Sequence, residues 1–184
     1  MKGQPVIGAT VGNGAALNIE LGFVPECVQL YNATDGDIIT TAFLNWVVPF
    51  SGGGTTTIAA GSKIKGATSG ATAVVRQVLL YSGTWAGGDA AGFFELVEGS
   101  LTGTFGSENV YIVNDSTAGI DDATVTANVV HNIAVAAAAA GATGTSAISR
   151  YEGTAAGFAK GFTIGSVIAE EAKLLRYVAW RSDQ

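Results

Sequence analysis

Cysteine and histidine are nearly missing from this chain, and their scarcity removes much of the chemistry that a sequence can carry. Cys27 is the single cysteine. No intramolecular disulfide is available, so a small disulfide-stapled secreted scaffold is excluded. Cys27 stands in the strand-like run FVPECVQLY, where a small half-buried hydrophobe is its expected role. His131, in VVHNIAV, is the single histidine. Neither a two-His metal site nor a second imidazole for proton relay can be drawn around it. No serine lies in a GxSxG elbow, and the acids near His131 in sequence, Asp121 and Asp122, fall in a loop.

Charge is also scarce. Charged residues make up 13% of the chain, about half of the usual quarter. Fifteen acids against nine scattered bases leave a net charge of -6. Nucleic-acid binding driven by counterion release from clustered Lys and Arg is disfavoured, and no nucleic-acid partner is expected. The carboxylate pairs Asp35/Asp37, Asp121/Asp122 and Glu170/Glu171 are of the kind that ordinary turns supply. They do not repeat at a calcium-loop spacing, and no aromatic-lined pair of acids marks a glycosidase. No catalytic residue, metal or cofactor is assigned, and the chain is not expected to be an enzyme.

Long apolar runs are absent too. The longest, IAVAAAAAGA at 133–142, is well short of the roughly 18–20 residues that span a bilayer. MKGQPVIGAT has a cation but no apolar stretch behind it, so neither a classical export signal nor a membrane partner is expected.

What is abundant is glycine, 26 residues, with threonine and alanine around it. Leu17, Ile19 and Leu21 alternate with polar neighbours, as in a half-buried strand. CVQLY reads as a second strand ending at Asn32, followed by a turn at Asp35–Gly36. IITTAFLNWVV, rich in β-branched and aromatic residues, reads as a third. SGGGTTT at 51–57 has the composition of a flexible junction, and a boundary is placed there. Beyond it come a short strand at 62–66, a long one at 72–81, the loop SGTWAGGDAAG, and the strands FFELVEG and ENVYIV, at a spacing that suits a small barrel or sandwich. TVTANVVHNIAV is strand-like. The Ala/Gly tract after it is irregular or holds one short helix. Ile168, Ala172, Leu175 and Ala179 fit a helical face, residues 174–181 fit a strand equally well, and a closing strand is expected.

Two glycine-rich stretches invite a ligand reading. GATSGATAVV, 66–75, lacks the Lys-Ser/Thr of a phosphate loop, and a β-branched run follows it instead of a helix, so a hairpin turn accounts for it. GNG at 12–14 lacks the third glycine of a dinucleotide fingerprint. Trp46 and Trp180 are expected in one core. Trp85 is expected to pin its loop, with a sugar-stacking platform as the alternative.

In order along the middle segment, GATSGATAVV, SGTWAGGDAAG and TGTFGSEN resemble a module of structural proteins of tailed bacteriophages: G-x-TSGATA, then GTW-x-GGDAAG, then GTF with a downstream Glu. Its signature falls on Thr68, Gly70, Thr84, Trp85, Gly88, Asp89 and Phe105. The flanks are similar to a second phage pattern, matched by GFVPECVQLYNATDG, GFTIG and YVAWR. The resemblance implies an all-β chain: a jelly-roll-like or sandwich domain built from 1–57 and 116–184, with a small β-barrel inserted at 58–115. Phe23, Trp46, Phe162 and Trp180 are the expected core of the main domain.

The resemblance also implies a virion protein, assembled in the host cytoplasm. The leading expectation is a capsid decoration or cement protein, a homo-oligomer and a trimer in the simplest case, that touches the major capsid protein and bridges capsomers. The alternatives are a tail, collar or fibre-associated protein and a carbohydrate-binding adhesin module. Residues 1–14 read as a flexible arm that orders on the capsid, with Pro5, Val6, Ile7 and Val11 as its contacts.

Overall fold

The computed structural model describes residues 4–54, 56–113, 127–129, 133–136, 147–153 and 159–181. Among them every regular element is a strand. In chain order these are β1 (Val6–Val11), β2 (Leu17–Glu20), β3 (Cys27–Asn32), β4 (Asp37–Gly53), β5 (Lys63–Gly66), β6 (Thr72–Ser82) and β7 (Ala90–Leu96). They continue with β8 (Glu108–Ile112), β9 (Ala127–Val129), β10 (Ile133–Ala136), β11 (Ile148–Tyr151), β12 (Gly161–Ile164) and β13 (Leu174–Trp180). The chain is all-β, and every described pairing whose register is defined is antiparallel.

Contacts divide it into two units, Met1–Asn45 with Ala134–Gln184, and Trp46–Ile133. The first, built from both chain ends, is a sandwich. One sheet runs β1-β13-β3-β4 and the other β11-β12-β2. The alternation read in the sequence sets the inner faces: β3 is buried at every second residue, with Val28 and Leu30 fully enclosed. Leu44, Leu175, Ile148, Phe162 and Ile164 complete a core drawn from both sheets. The Phe162 ring meets Tyr177 edge-on at 5.3 Å, linking the two layers. Burial pushes the Tyr177 hydroxyl pKa upward.

The second unit is a barrel. The second half of β4 pairs with β7, and the order continues β6, β5, β8, β9. β9 returns to β4 at Phe50↔Val129 and closes the ring of six strands. Its core stacks Phe50 on Phe94 at 4.0 Å, with Val48, Ile64, Leu96 and Phe105 around them.

Three expectations change here. The junction predicted at 51–57 begins as strand: β4 continues through Ser51, Gly52 and Gly53, and Gly53 pairs with Ala90. A Cβ on Gly53 would sit 2.7 Å from the Trp85 ring, so this glycine makes room for packing. The boundary between units consequently falls at 45/46 rather than 57/58, and β9, beyond the expected end at 115, completes the barrel. Residues 6–11 of the expected flexible arm form β1, paired in unbroken register with β13, and Gly12 is tied by its amide to the Lys173 carbonyl at 2.9 Å. Gly8 lies flat under the Tyr177 ring, where a Cβ would come within 2.2 Å.

The closing strand expected at 174–181 is β13. His131, Asp121 and Asp122, and the Ala/Gly tract at 137–146, lie outside the described residues.

Candidate functional site

The turn that resembled a phosphate loop joins β5 to β6. Gly70, at φ +70°, reverses the chain where a side chain would be strained. The turn aims its amides inward, at a carboxylate of the barrel itself. Thr68 and Ser69 donate their N–H groups to Glu108 Oε2 at 2.6 and 2.8 Å, and Gly106 donates to Oε1 at 3.0 Å. Glu108 is 7% exposed. Burial pushes its carboxyl upward, yet hydrogen bonds from the Ser69 side chain and from the Ser69, Gly106 and Thr68 amides outweigh it and hold the pKa down at about 2. A Cβ on Gly66 would lie 2.6 Å from Oε1, so glycine there leaves room for the carboxylate. The loop does bind an anion, and the anion is its own Glu108.

The second glycine-rich loop is closed in the same manner. Asp89 Oδ1 accepts the Thr84 amide at 2.8 Å, and Thr84 Oγ1 accepts the Gly87 amide at 3.0 Å. Gly88 takes φ +72° at its end. Trp85 is 9% exposed and stacks on Phe50 at 5.4 Å. It therefore offers no open face to a sugar ring. All seven signature residues fall in the barrel unit: Thr68, Gly70, Thr84, Gly88 and Asp89 build turns, while Trp85 and Phe105 fill the core.

Other polar residues are also committed. Asn32 Oδ1 caps the turn after β3, accepting the amides of Thr34 and Asp35 at 3.0 and 3.1 Å. Lys173 donates to Asp35 Oδ1 at 2.9 Å; that hydrogen bond lowers the Asp35 pKa and raises that of Lys173. Arg150 Nη1 donates to the Leu44 carbonyl, and Nη2 pairs with Glu152 at 2.6 Å. Burial, then the Glu26 charge, raises the Cys27 thiol, which keeps it protonated and unreactive at neutral pH. No cluster of three His, Cys, Asp or Glu side chains able to hold a metal occurs among the described residues.

What remains open is surface. In the terminal sheet, residues directly opposite each other share a face. One face is the core. The other carries Ile7, Val11, Leu174 and Phe43, with relative exposures of 72, 59, 39 and 58%. Val178 and Trp180 stand between them, half-buried. The barrel has an apolar patch of its own, where Tyr81 and Phe93 meet at 5.8 Å beside Leu79.

Of the four residues expected in the core, Phe162 is fully buried. Trp46 packs against the barrel core and Trp180 lies on the outward face of β13, so the two do not share a core. Phe23 is half-buried under the Arg181 guanidinium at 5.4 Å. Of the expected contacts, Pro5 is exposed just ahead of β1, Val6 turns toward the sandwich, and Ile7 and Val11 face outward.

Phe43, Leu174 and Arg176 were not singled out in the sequence, and Glu108 entered it only as the downstream Glu of TGTFGSEN, with no role assigned. A signal for Leu174 and Arg176 was present: LLRYVAW is apolar at both parities, as a strand with two covered faces is. Compared with family models, curated proteins and solved structures, the chain gives no match.

Proposed function

We propose that the chain is a structural protein of a tailed-bacteriophage virion, a capsid decoration or cement protein that stabilises the head by bridging capsomers. The observation that carries this reading is the outward face of the terminal sheet, where Ile7, Val11, Phe43 and Leu174 stand in solvent. An apolar face of that kind marks an interaction site, and its scarcity of charge keeps the desolvation cost of covering it low. The conspicuous loops support the same conclusion from the other side: their polar groups are consumed internally, at Glu108 and Asp89. The sequence resemblance of both segments supplies the phage context. The partners are then the major capsid protein and copies of this chain, and the place is the virion. Modest contacts suffice, because one oligomer engages several lattice positions at once.

Quantitative mass spectrometry of purified particles tests this. A copy number near that of the major capsid protein, or a simple fraction of it set by the lattice, is expected. A few per cent would move the chain to the tail or collar, and absence from the particle would remove the virion reading. The adhesin alternative loses its platform with Trp85 buried.

A further inference from the structure

β1 is an edge strand: among the described residues it pairs with β13 and with nothing on its other side. In an antiparallel pair, residues whose backbone groups meet the neighbour alternate with residues whose groups point away. The Gly12 amide donates to the Lys173 carbonyl. Counting back by twos, Thr10, Gly8 and Val6 turn to β13, and the N–H and C=O groups of Ile7, Ala9 and Val11 point off the sheet. The far side of β13 agrees. The carbonyls of Leu174 and Trp180 accept amides of Ala33 and Glu26, at either end of β3, which leaves Leu175, Tyr177 and Ala179 to face Thr10, Gly8 and Val6. Natural sheets guard such an edge with charge, proline, a bulge or brevity. VIGATV has no charge and no proline, and its register with β13 is unbroken over six residues. The outer strands of the opposing sheet are four residues each, with Glu20 in β2 and Arg150 in β11.

We infer that this edge is where the chain joins a second copy of itself, β1 against β1, antiparallel, across a two-fold axis at Ala9. The axis sets Ala9 opposite Ala9 of the partner subunit, and Ile7 opposite Val11 of the partner subunit. Each outward amide of both copies then has a carbonyl to meet, and none is left over. The register is fixed by the ends of the strand. Shifted by two residues, it sets Val11 against Pro5, which has no N–H, or carries Ile7 past the last residue of β1. The side chains agree with it: Ile7 and Val11, 72 and 59% exposed, become a cross-strand apolar pair on either side of the axis, and no charge enters the junction. A foreign strand would have to match this length, these ends and this lack of charge; a second copy matches them by symmetry. The junction is rich in hydrogen bonds and poor in area, so it is weak by the standard of stable dimers, and association in the micromolar range is expected. The inference deepens the proposed reading, in which copies of this chain are among its partners.

The test is the mass of the full-length chain by sedimentation, from low to several hundred micromolar, with amide exchange read residue by residue at both ends of the range. A reversible shift from 18.5 kDa to twice that value is expected. The amides of Ile7, Ala9 and Val11 exchange slowly only in the concentrated sample, whereas those of Gly8 and Thr10 are slow in both. Ala9→Pro removes the central donor without touching a bond to β13 and weakens association at least about tenfold. Ile7→Lys with Val11→Lys sets like charges opposite each other and weakens it by at least as much, while Ile7→Asp with Val11→Lys restores most of it, because each acid then faces a base. Phe43→Asp, on β4 and so three strands from the edge, leaves the dimer unchanged. A chain monomeric throughout, including one whose edge is covered by another protein's strand on the particle, overturns the proposal. So does a trimer, a dimer that leaves the three amides exchanging as before, one that treats the two charged pairs alike, or one dissolved by Phe43→Asp. If Ala9→Pro fails to fold by circular dichroism, amide exchange of the native chain decides. Particle copy number is read independently, so a failure here leaves the virion reading standing, and the reverse.

Discussion

In the barrel unit a carboxylate sits under three amides and the rings of Phe50, Trp85 and Phe94 are stacked out of solvent; in the terminal unit four large apolar side chains stand in water on one sheet face. The barrel contains GATSGATAVV and the Trp85 loop, and each is closed on itself. The terminal unit contains plain alternating strands, and these present an open apolar face. A glycine-rich turn directs several amides to one point, but it selects an internal acceptor as readily as a ligand. Two-sided apolar strands have no such resource: whatever their inner face does not cover must find a partner or remain exposed.

The contrast breaks most sharply at the barrel core. Phe94→Ala removes the ring stacked on Phe50 and costs about 3–5 kcal/mol, read from chemical denaturation. Adjacent leucines of β13 then separate the two faces of one strand. Leu175, fully buried, costs about 2–4 kcal/mol as alanine. Leu174, on the outward face, changes stability by no more than about 0.5 kcal/mol under the same measurement. Equal costs would mean that the outward face is not outward.

Glu108→Ala leaves the Thr68, Ser69 and Gly106 amides without their acceptor and costs about 2 kcal/mol, with the solvent-exposed turn recovering part through water. The pH dependence sharpens this. The folded carboxyl titrates at about 2, below its ordinary 4.5, so its contribution is complete above pH 4.5 and is lost as pH falls toward 2. Denaturation midpoints of the native chain and of Glu108→Gln should therefore differ at pH 7 and converge across that interval. A gap constant over the interval would mean that ionisation is not what the amides hold. The smallest effect belongs to Ile7→Asp, which shifts monomer stability by about 0.5 kcal/mol or less.

Much of the strand layout was legible because alternation and turn residues are local. CVQLY and residues 72–81 lie where the strand pattern puts them, while the closing strand, which fitted a helical face as well, was expected partly on the resemblance. The ring closure was not legible, since it depends on β9 meeting β4 across more than seventy residues of chain. SGGG misled because glycine has two uses: composition suggests a hinge, whereas Gly53 makes room for Trp85. The N-terminal segment misled similarly, its small residues being needed for Gly8 to pass beneath Tyr177. Trp180 was expected in a core because it ends a β-rich run, and sequence cannot say which parity faces in. Glu108 was visible as the downstream Glu of TGTFGSEN, but its role was not, because the backbone amides that hold it have no side-chain signature.

The measurement that bears most directly on the central claim is hydroxyl-radical footprinting of the chain, free and on the particle. The account predicts that oxidation of Ile7, Leu174 and Phe43 falls on the particle while the residues of the 67–71 turn keep their reactivity. Protection at that turn, with Ile7 and Phe43 unchanged, would contradict it.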